Sequence, residues 1–373
     1  MDNLAHSLVG AALAEAGLKK KTPLATATLI IGANFPDVDA VAMVIGSDFS
    51  LWFRRGWTHG VLAWVVLPPI LAMLMLGWDK WIRRRRNPDA EPVHVGWLVG
   101  LSYLGVLTHP FLDWLNTYGV RLLMPFDGQW FYGDSLFIVD PWLWLLCASA
   151  VVLARSQSKL SIAAWGVLGA ATSAMIFGYG GIPVLVKVVW GLGVGTIVAM
   201  RVAGWLEDRT RQLAAVALGL ASLYIAAMVS GTVYTRSLAT DAFAERGVEV
   251  DQILSGPVPG NPLVREGLVR GGGEYRYFQI DPLADTTFVE PQPGVPVEEP
   301  GPVVKAALAA PEVRGFRNWM RFPSWEVEKL DDGWRVILRD LRYAEPDEYE
   351  EGFGVAIVEL DEELNPRLSE KAP

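Results

Sequence analysis

Long uninterrupted apolar runs constrain this chain more than any other feature of its sequence. Residues 61–78, 160–178, 182–200 and 213–234 each approach the ~20 apolar residues needed to cross a hydrocarbon core. Segments 96–115 and 136–154 qualify as well, with His109, Asp113 and Asp140 in them or at their ends. Two shorter stretches, 4–18 and 23–35, are joined by Lys19-Lys20-Lys21 and read as a helical hairpin that enters the bilayer wholly or only partway. Backbone polar groups in lipid need partners within their own segment, so helices are the default. Gly191, Gly193 and Gly195 suit close helix packing, and Lys187 either snorkels or lines a polar interior.

The apolar character stops near residue 234. Residues 1–234 carry 17 Lys and Arg against 14 Asp and Glu, a net of +3. Residues 235–373 carry 15 against 27, a net of −12, which together make the −9 of the whole chain. A nearly neutral membrane domain, 1–234, is therefore followed by an acidic, water-compatible domain, 235–373. Within the tail, 253–302 is rich in Pro and Gly, with Gly271-Gly272-Gly273 and 291–302 reading as loops or linkers. Strand-like stretches follow at 274–281, 324–330, 333–341 and 353–360, with 324–330 and 333–341 forming a hairpin. The expected fold is mainly α: a polytopic helical membrane domain with a C-terminal β-rich (α+β) soluble domain. The lone Cys147 rules out an intramolecular disulfide and a cysteine-based metal site. No basic patch exists beyond the membrane-flanking clusters, so nucleic acid is not an expected partner.

Charge also orients the chain. Lys80 and Arg83 to Arg86 lie between two spans, and that loop is expected in the cytoplasm. The Lys19–Lys21 tip, Arg155 with Lys159, and Arg201 with Arg209 and Arg211 fall on the same side if every segment crosses. Residues 36–60, 116–135 and the tail then lie outside the cytoplasm, in a multi-pass protein of the cell's inner (plasma) membrane.

Three of the four histidines lie where the chain nears that outer face. His6 opens the first helix, and Asp37 and Asp39 close the returning one. His59 begins the span 61–78, and His109 with Asp113, four apart on one helix face, ends the span 96–115. Four helix ends thus bring three imidazoles and three carboxylates to one level. These donors suit zinc, iron or manganese, and their number allows one or two ions that activate a water for attack on an ester or phosphoester. Ionisable groups near lipid are usually paired, metal-bound and functional. Singly, each residue has a plainer reading. A histidine at a helix end can be interfacial, His109 and Asp113 can be a hydrogen-bonded pair, and Asp37 or Asp39 can cap a helix. Their convergence favours the metal. His94, on the basic side, reads as solvated.

Further polar residues gather on the site side: Asn116, Thr117, Asp127, Asp134 and Asp140. Asp140-Pro141 is a helix start, or Asp140 or Asp134 is an additional ligand or a carboxylate orienting an imidazole. Arg54 and Arg55 are flanking charges or bind an anionic head group, Arg55 being the better candidate, with Asn116 beside it as a substrate contact.

These residues carry a resemblance. His6, Pro36-Asp37-Val38-Asp39, Arg55-Gly56-Trp57-Thr58-His59 and His109 through Gly119, continuing into Pro125-Phe126 and Tyr132-Gly133-Asp134 through Asp140-Pro141, resemble the YdjM-like family of LexA-regulated, membrane-bound, metal-dependent hydrolases. Longer members with a soluble tail look similar in Asn261-Pro262-Leu263 and Arg321-Phe322-Pro323-Ser324-Trp325. The resemblance covers the first ~155 residues well, the region of the site, and the tail more loosely. It implies hydrolase activity without a substrate. The His-x-x-x-Asp helix is also similar to the zinc-dependent phospholipase C pattern, which suggests a phosphoester. One departure stands out: Gly60 follows His59 where many relatives have Ser.

The resulting expectation is an integral membrane hydrolase using a divalent transition metal, zinc first. His6, Asp37, Asp39, His59, His109 and Asp113 are the ligands, and Asp39, Asp134 or Asp140 takes the proton from the attacking water. A lipid-like phosphoester at the interface is the expected substrate. The rival is a non-enzymatic membrane protein with a structural metal site and a partner-binding acidic tail. A transporter fits less well, because charged residues gather at one face and no inverted repeat of broken helices is visible.

Overall fold

The computed structural model describes residues 1–205, 209–284, 287–344 and 352–367. The expected hairpin is present as α1 (Asn3–Glu15) and α2 (Ala25–Gly32), the latter bent by 45° into a 3-10 segment, Phe35–Val44. A short helix, α3 (Ser47–Phe53), leads to α4 (Val61–Trp78), which continues through a π turn into α5 (Arg84–Arg86). Next come α6 (Val95–Trp114), α7 (Pro141–Arg155), α8 (Lys159–Gly178) and α9 (Val184–Val202). Among the described residues five helices are long and apolar enough to cross a membrane, six if the bent α2 pair is one span. Their outer faces bear bare aliphatic side chains such as Val65, Leu74, Val167, Leu192 and Leu223. That pattern suits a lipid solvent, since water would expel so broad an apolar surface.

The last long helix, α10 (Thr210–Glu245), has 36 residues and so runs ~54 Å. It passes residue 234 without a break and enters the tail as one rod. The strand expected at 274–281 is present, but the tail departs from the sequence reading ahead of it, where two further strands lie. It holds β1 (Val250–Val258), β2 (Asn261–Gly271) and β3 (Glu274–Ile280), an antiparallel meander extended by β4 (Phe288–Val289) and β5 (Val295–Pro296). The Pro and Gly there are turn residues. Pro259-Gly260 joins β1 to β2, with Gly260 at φ +69°, and Gly272-Gly273 joins β2 to β3 with both at positive φ. The remainder is α11 (Pro302–Ala309) and α12 (Arg314–Trp319), packed on the sheet β6 (Pro323–Leu330), β7 (Gly333–Asp340) and β8 (Val355–Asp361). The hairpin expected at 324–330 and 333–341 is β6–β7, with Leu330 paired to Gly333.

Both ends of the bundle are cross-tied. At one end Glu15, buried, pairs with Lys19 and with Arg155 (2.7 Å), Arg211 Nε donates to Ala16 O (3.3 Å), and Arg201 donates to Ser156 O. The basic clusters thus share one end of the bundle. At the other end the tail docks on residues 116–135. Buried Asp134 pairs with Arg236 of α10 and with Arg321 Nη1 (3.0 Å), and Arg321 Nη2 also donates to Ile253 O (2.9 Å). Arg342, paired with Asp340, donates to Thr117 O (2.8 Å), and Trp319 Nε1 donates to Tyr118 O (3.2 Å).

Candidate metal centre

The site is built by close helix contact. Gly32 at the end of α2 faces Gly105 of α6, where a Cβ would lie 3.1 Å from the Gly105 Cα. That approach delivers the Ala33 carbonyl to His109, whose Nδ1 donates to it at 2.6 Å. With Nδ1 carrying the proton, His109 Nε2 presents a lone pair inward, and it has no hydrogen-bond partner although fully buried. His59 is set the same way from a different element. Its Nδ1 lies 2.9 Å from Thr58 Oγ1 and 3.3 Å from Asp39 Oδ2, while the Thr58 hydroxyl donates to Asp39 at 2.6 Å. His59 Nε2 is likewise buried without a hydrogen-bond partner.

Four ligand atoms converge, one each from Asp37, His59, His109 and Asp113, all within 4.8 Å of one another. Asp113 Oδ2 lies 3.3 Å from His59 Nε2 and 3.5 Å from His109 Nε2, and Asp37 Oδ1 lies 3.6 Å from His109 Nε2. A tetrahedral site with bonds of ~2.0–2.1 Å has ligand–ligand edges of ~3.4 Å. These three separations, 3.3, 3.5 and 3.6 Å, match those edges. Lone pairs aimed at one another this closely repel unless a cation lies between them, so the donor set fits a divalent metal. Three carboxylates (Asp37, Asp39, Asp113) face Arg54, Arg55 and the Met1 amino group, so the donor geometry and not a charge imbalance carries the metal reading.

The sequence-expected residues divide into three groups. His6 comes to the site without joining the four. Its ring stacks on His109 at 3.8 Å, and its Nε2 lies 3.3 Å from Asp113 Oδ1, the oxygen that also receives the Met1 amino group. Asp39 is one step out. Its oxygens take Arg54 Nε (3.3 Å), the Arg55 backbone N–H (3.0 Å) and Thr58, and it orients His59. Arg55, at φ +52°, pairs with Asp113 Oδ2 (3.2 Å), donates to Asn116 Oδ1 (3.2 Å) and stacks on Tyr118 (4.5 Å). Asn116 also receives the Tyr118 N–H (2.9 Å), leaving its own buried Nδ2 without a partner.

Asp134 and Asp140 lie apart from the four. Asp134 is taken up by Arg236 and Arg321. Asp140 caps α7 through Leu143 N (2.9 Å) and receives the Tyr224 hydroxyl (2.7 Å), as its Asp-Pro context allowed. Among the described residues Thr117 and Asp127 belong to the docking loop. Lys187 donates to Phe177 O (3.0 Å) and exposed His94 caps α6, so neither takes part.

Arg54, read as a flanking charge, instead bridges Asp39 and Asp37 (3.4 Å). Sequence reasoning also missed Asn3, whose Nδ2 donates to Asp37 Oδ2 (2.7 Å), and Thr58. Each sits within three residues of a histidine, which was the available signal. Gly60 is explained as well: a Cβ there would lie 2.5 Å from Met124 O, so this chain has no room for Ser.

A helical bundle with bare aliphatic flanks, a buried His/Asp centre at one end and an α/β domain docked over that end defines a multi-pass membrane protein with a metal-type site. Residues 1–182 match the YdjM inner membrane protein family. Residues 302–370 match the YfhP C-terminal alpha/beta plait domain. The chain is similar to the uncharacterized protein YfhP of Bacillus subtilis (strain 168), 28% identical over 166 residues, which is 41% of this chain and 46% of that protein. The match therefore spans about half the length of that relative. No solved structure matches.

Proposed function

We propose that this protein is a membrane-embedded metal-dependent hydrolase, zinc being the preferred ion, acting on an ester or phosphoester at the membrane interface. The observation that supports it best is the pair of buried imidazole Nε2 atoms, each without a hydrogen-bond partner, facing Asp113 and Asp37 at tetrahedral spacing. Asp37, His59, His109 and Asp113 would hold the ion, and His6 is placed to join if a second ion or a fifth ligand is required. Bound there, a divalent metal supplies Lewis acidity and an activated water.

The protein's own groups supply the rest. The Ala33 carbonyl and the Thr58–Asp39 pair keep both imidazoles in the tautomer that offers Nε2 inward, as partners of ligating histidines generally do. Asp39, beside His59, is the carboxylate best placed to hold a proton released in the reaction. Arg55 and Asn116 border the centre and would steady an anionic substrate group. In this reading the site and tail face away from the cytoplasm, because the Lys80–Arg86 cluster and the basic groups tied to Glu15 and Ser156 lie at the opposite end.

The test is turnover. Protein purified without chelators, given phosphodiester and phosphomonoester lipids and chromogenic esters, should hydrolyse at least one of them. That activity should vanish in Asp113→Asn and on chelation, and return with added zinc. A metal-loaded protein inert across the whole panel would favour the rival reading of a structural site.

A further inference from the structure

A second polar feature lies beside the metal centre, on the far wall of the loop 54–60. Trp52, Trp57, Arg121, Met124, Gly128, Arg314, Arg317 and Asn318 line a cavity of about 410 Å3 at the seam between α3, the docking loop and α12. Three guanidinium groups meet there, and among the described residues none of the three forms an ion pair. Arg121 is nearly enclosed, 3% exposed, and its Nε has no hydrogen-bond partner. Its Nη2 donates to the carbonyls of Trp52 and Arg54, which fixes the fork without neutralising it. Burial works against the Arg121 charge, lowering its pKa from the usual arginine value. Asp48 of α3 accepts the Phe316 N–H (2.8 Å) and acts electrostatically on Arg314 without an ion-pair contact to it.

Arg314 and Arg317 approach from the tail, both exposed, Arg314 over the Trp52 ring at 5.4 Å and Arg317 donating to Leu308 O (2.6 Å). Guanidinium groups without ion-pair contacts that line one half-open cavity suit an anion, and their forked donors match phosphate oxygens. The cavity's height in the membrane narrows the choice. It adjoins the start of α4 and is edged by Trp57, with bare Leu123 and Phe126 nearby, the composition of a headgroup-level belt.

We propose that this cavity binds a phosphate group, carried by an anionic lipid at headgroup level, with Arg121 as the fixed contact and Arg314 and Arg317 closing on it from the tail domain. Phospholipid phosphate and free inorganic phosphate share this chemistry, and the experiment separates them. It is independent of the hydrolase reading, because neither metal nor turnover enters its test.

Full-length protein in detergent is titrated with phosphatidic acid, with phosphatidylcholine and, separately, with inorganic phosphate, and bound molecules are counted by native mass spectrometry. The wild type is compared with Arg314→Gln/Arg317→Gln, whose altered side chains are exposed and should leave the melting temperature unchanged, and with Arg121→Gln. Phosphatidic acid should bind about tenfold or more weakly in the double variant, with phosphatidylcholine unaffected. Inorganic phosphate showing the same sensitivity would identify free phosphate as the natural source and still support the anion site. If neither anion binds, or both bind the folded double variant as well as the wild type, the proposal is overturned.

Discussion

Removing the two inward-facing imidazoles together should empty the metal centre, and the expected size of the effect follows from its geometry. Structural zinc sites with four protein ligands contribute ~10–16 kcal/mol of apparent binding free energy. With the load shared evenly, one ligand accounts for roughly 2.5–4 kcal/mol, or about 10²–10³-fold in affinity. His59→Ala or His109→Ala alone should therefore lower metal retention sharply without abolishing it. The double variant leaves Asp37 and Asp113, two carboxylates on different elements, and should lose the metal entirely. Asp39→Asn keeps all four donors but disturbs the partner of His59 Nδ1, so a milder loss of about 10–100-fold is expected. Asp140→Asn, remote from the centre and occupied by Leu143 and Tyr224, should change nothing.

The assay is elemental analysis of protein purified without chelators, followed by competition against a chelator of known affinity. The order wild type and Asp140→Asn, then Asp39→Asn, then the single His variants, then the double variant is the expected result. Stoichiometric metal in the double variant would refute the assignment, as would loss of metal in Asp140→Asn equal to that in His109→Ala.

Other outcomes follow from contacts outside the four ligands. Arg321→Met leaves buried Asp134 with Arg236 alone and should destabilise the tail's docking by about 3–5 kcal/mol, read as earlier thermal release of the tail to limited proteolysis; an unchanged cleavage profile would contradict it. Gly60→Ser forces a side chain against the Met124 carbonyl and should lower stability by roughly 1–3 kcal/mol, whatever the residue's acceptability in relatives; a melting temperature at or above wild type would count against that. Gly32→Val pushes α2 from α6 and withdraws the Ala33 carbonyl from His109, so metal retention should fall although no ligand has changed; elemental analysis decides. For sidedness, Gln129→Cys on an exposed part of the docking loop should label from outside intact cells with a membrane-impermeant maleimide, buried Cys147 remaining silent, and labelling from the cytoplasm alone would reverse the orientation.

The membrane helices were legible because their signal is length and apolarity, which tertiary contacts rarely override. The convergence of His59, His109, Asp37 and Asp113 was legible for a related reason: once the spans are drawn, their ends have only two levels to occupy. The division of labour within that cluster was not legible. Asp37 and Asp39 stand two residues apart in similar surroundings, yet a 3-10 turn sends one to the ligand set and the other behind His59. His6 and Asp134 show the same limit, since the stacking of a ring or the arrival of Arg321 from 187 positions away leaves no local trace. In the tail, the loop at Gly271-Gly272-Gly273 and the strand after it were legible, while β1 and β2 ahead of it were not. The apolar stretches of β1 and β2 are too interrupted by Gly and Pro to show period-two alternation.

The unbroken α10 rod has a consequence for how this architecture can vary. An α-helix advances ~100° and ~1.5 Å per residue, and the tail is carried on a shaft whose first part packs in the helical bundle and whose last part packs on the tail's own sheet. Gaining or losing one residue anywhere along Thr210–Glu245 would swing the whole tail by more than a quarter turn about the shaft, carrying Arg321 away from Asp134 and Trp319 away from Tyr118. Changes of three, four or seven residues nearly restore the angle but alter the height by ~5–10 Å. Length variation tolerated in an ordinary interdomain tether is therefore closed to this one. The shaft behaves as a ruler and a compass at once, and its residue count is as constrained as any ligand it helps to roof.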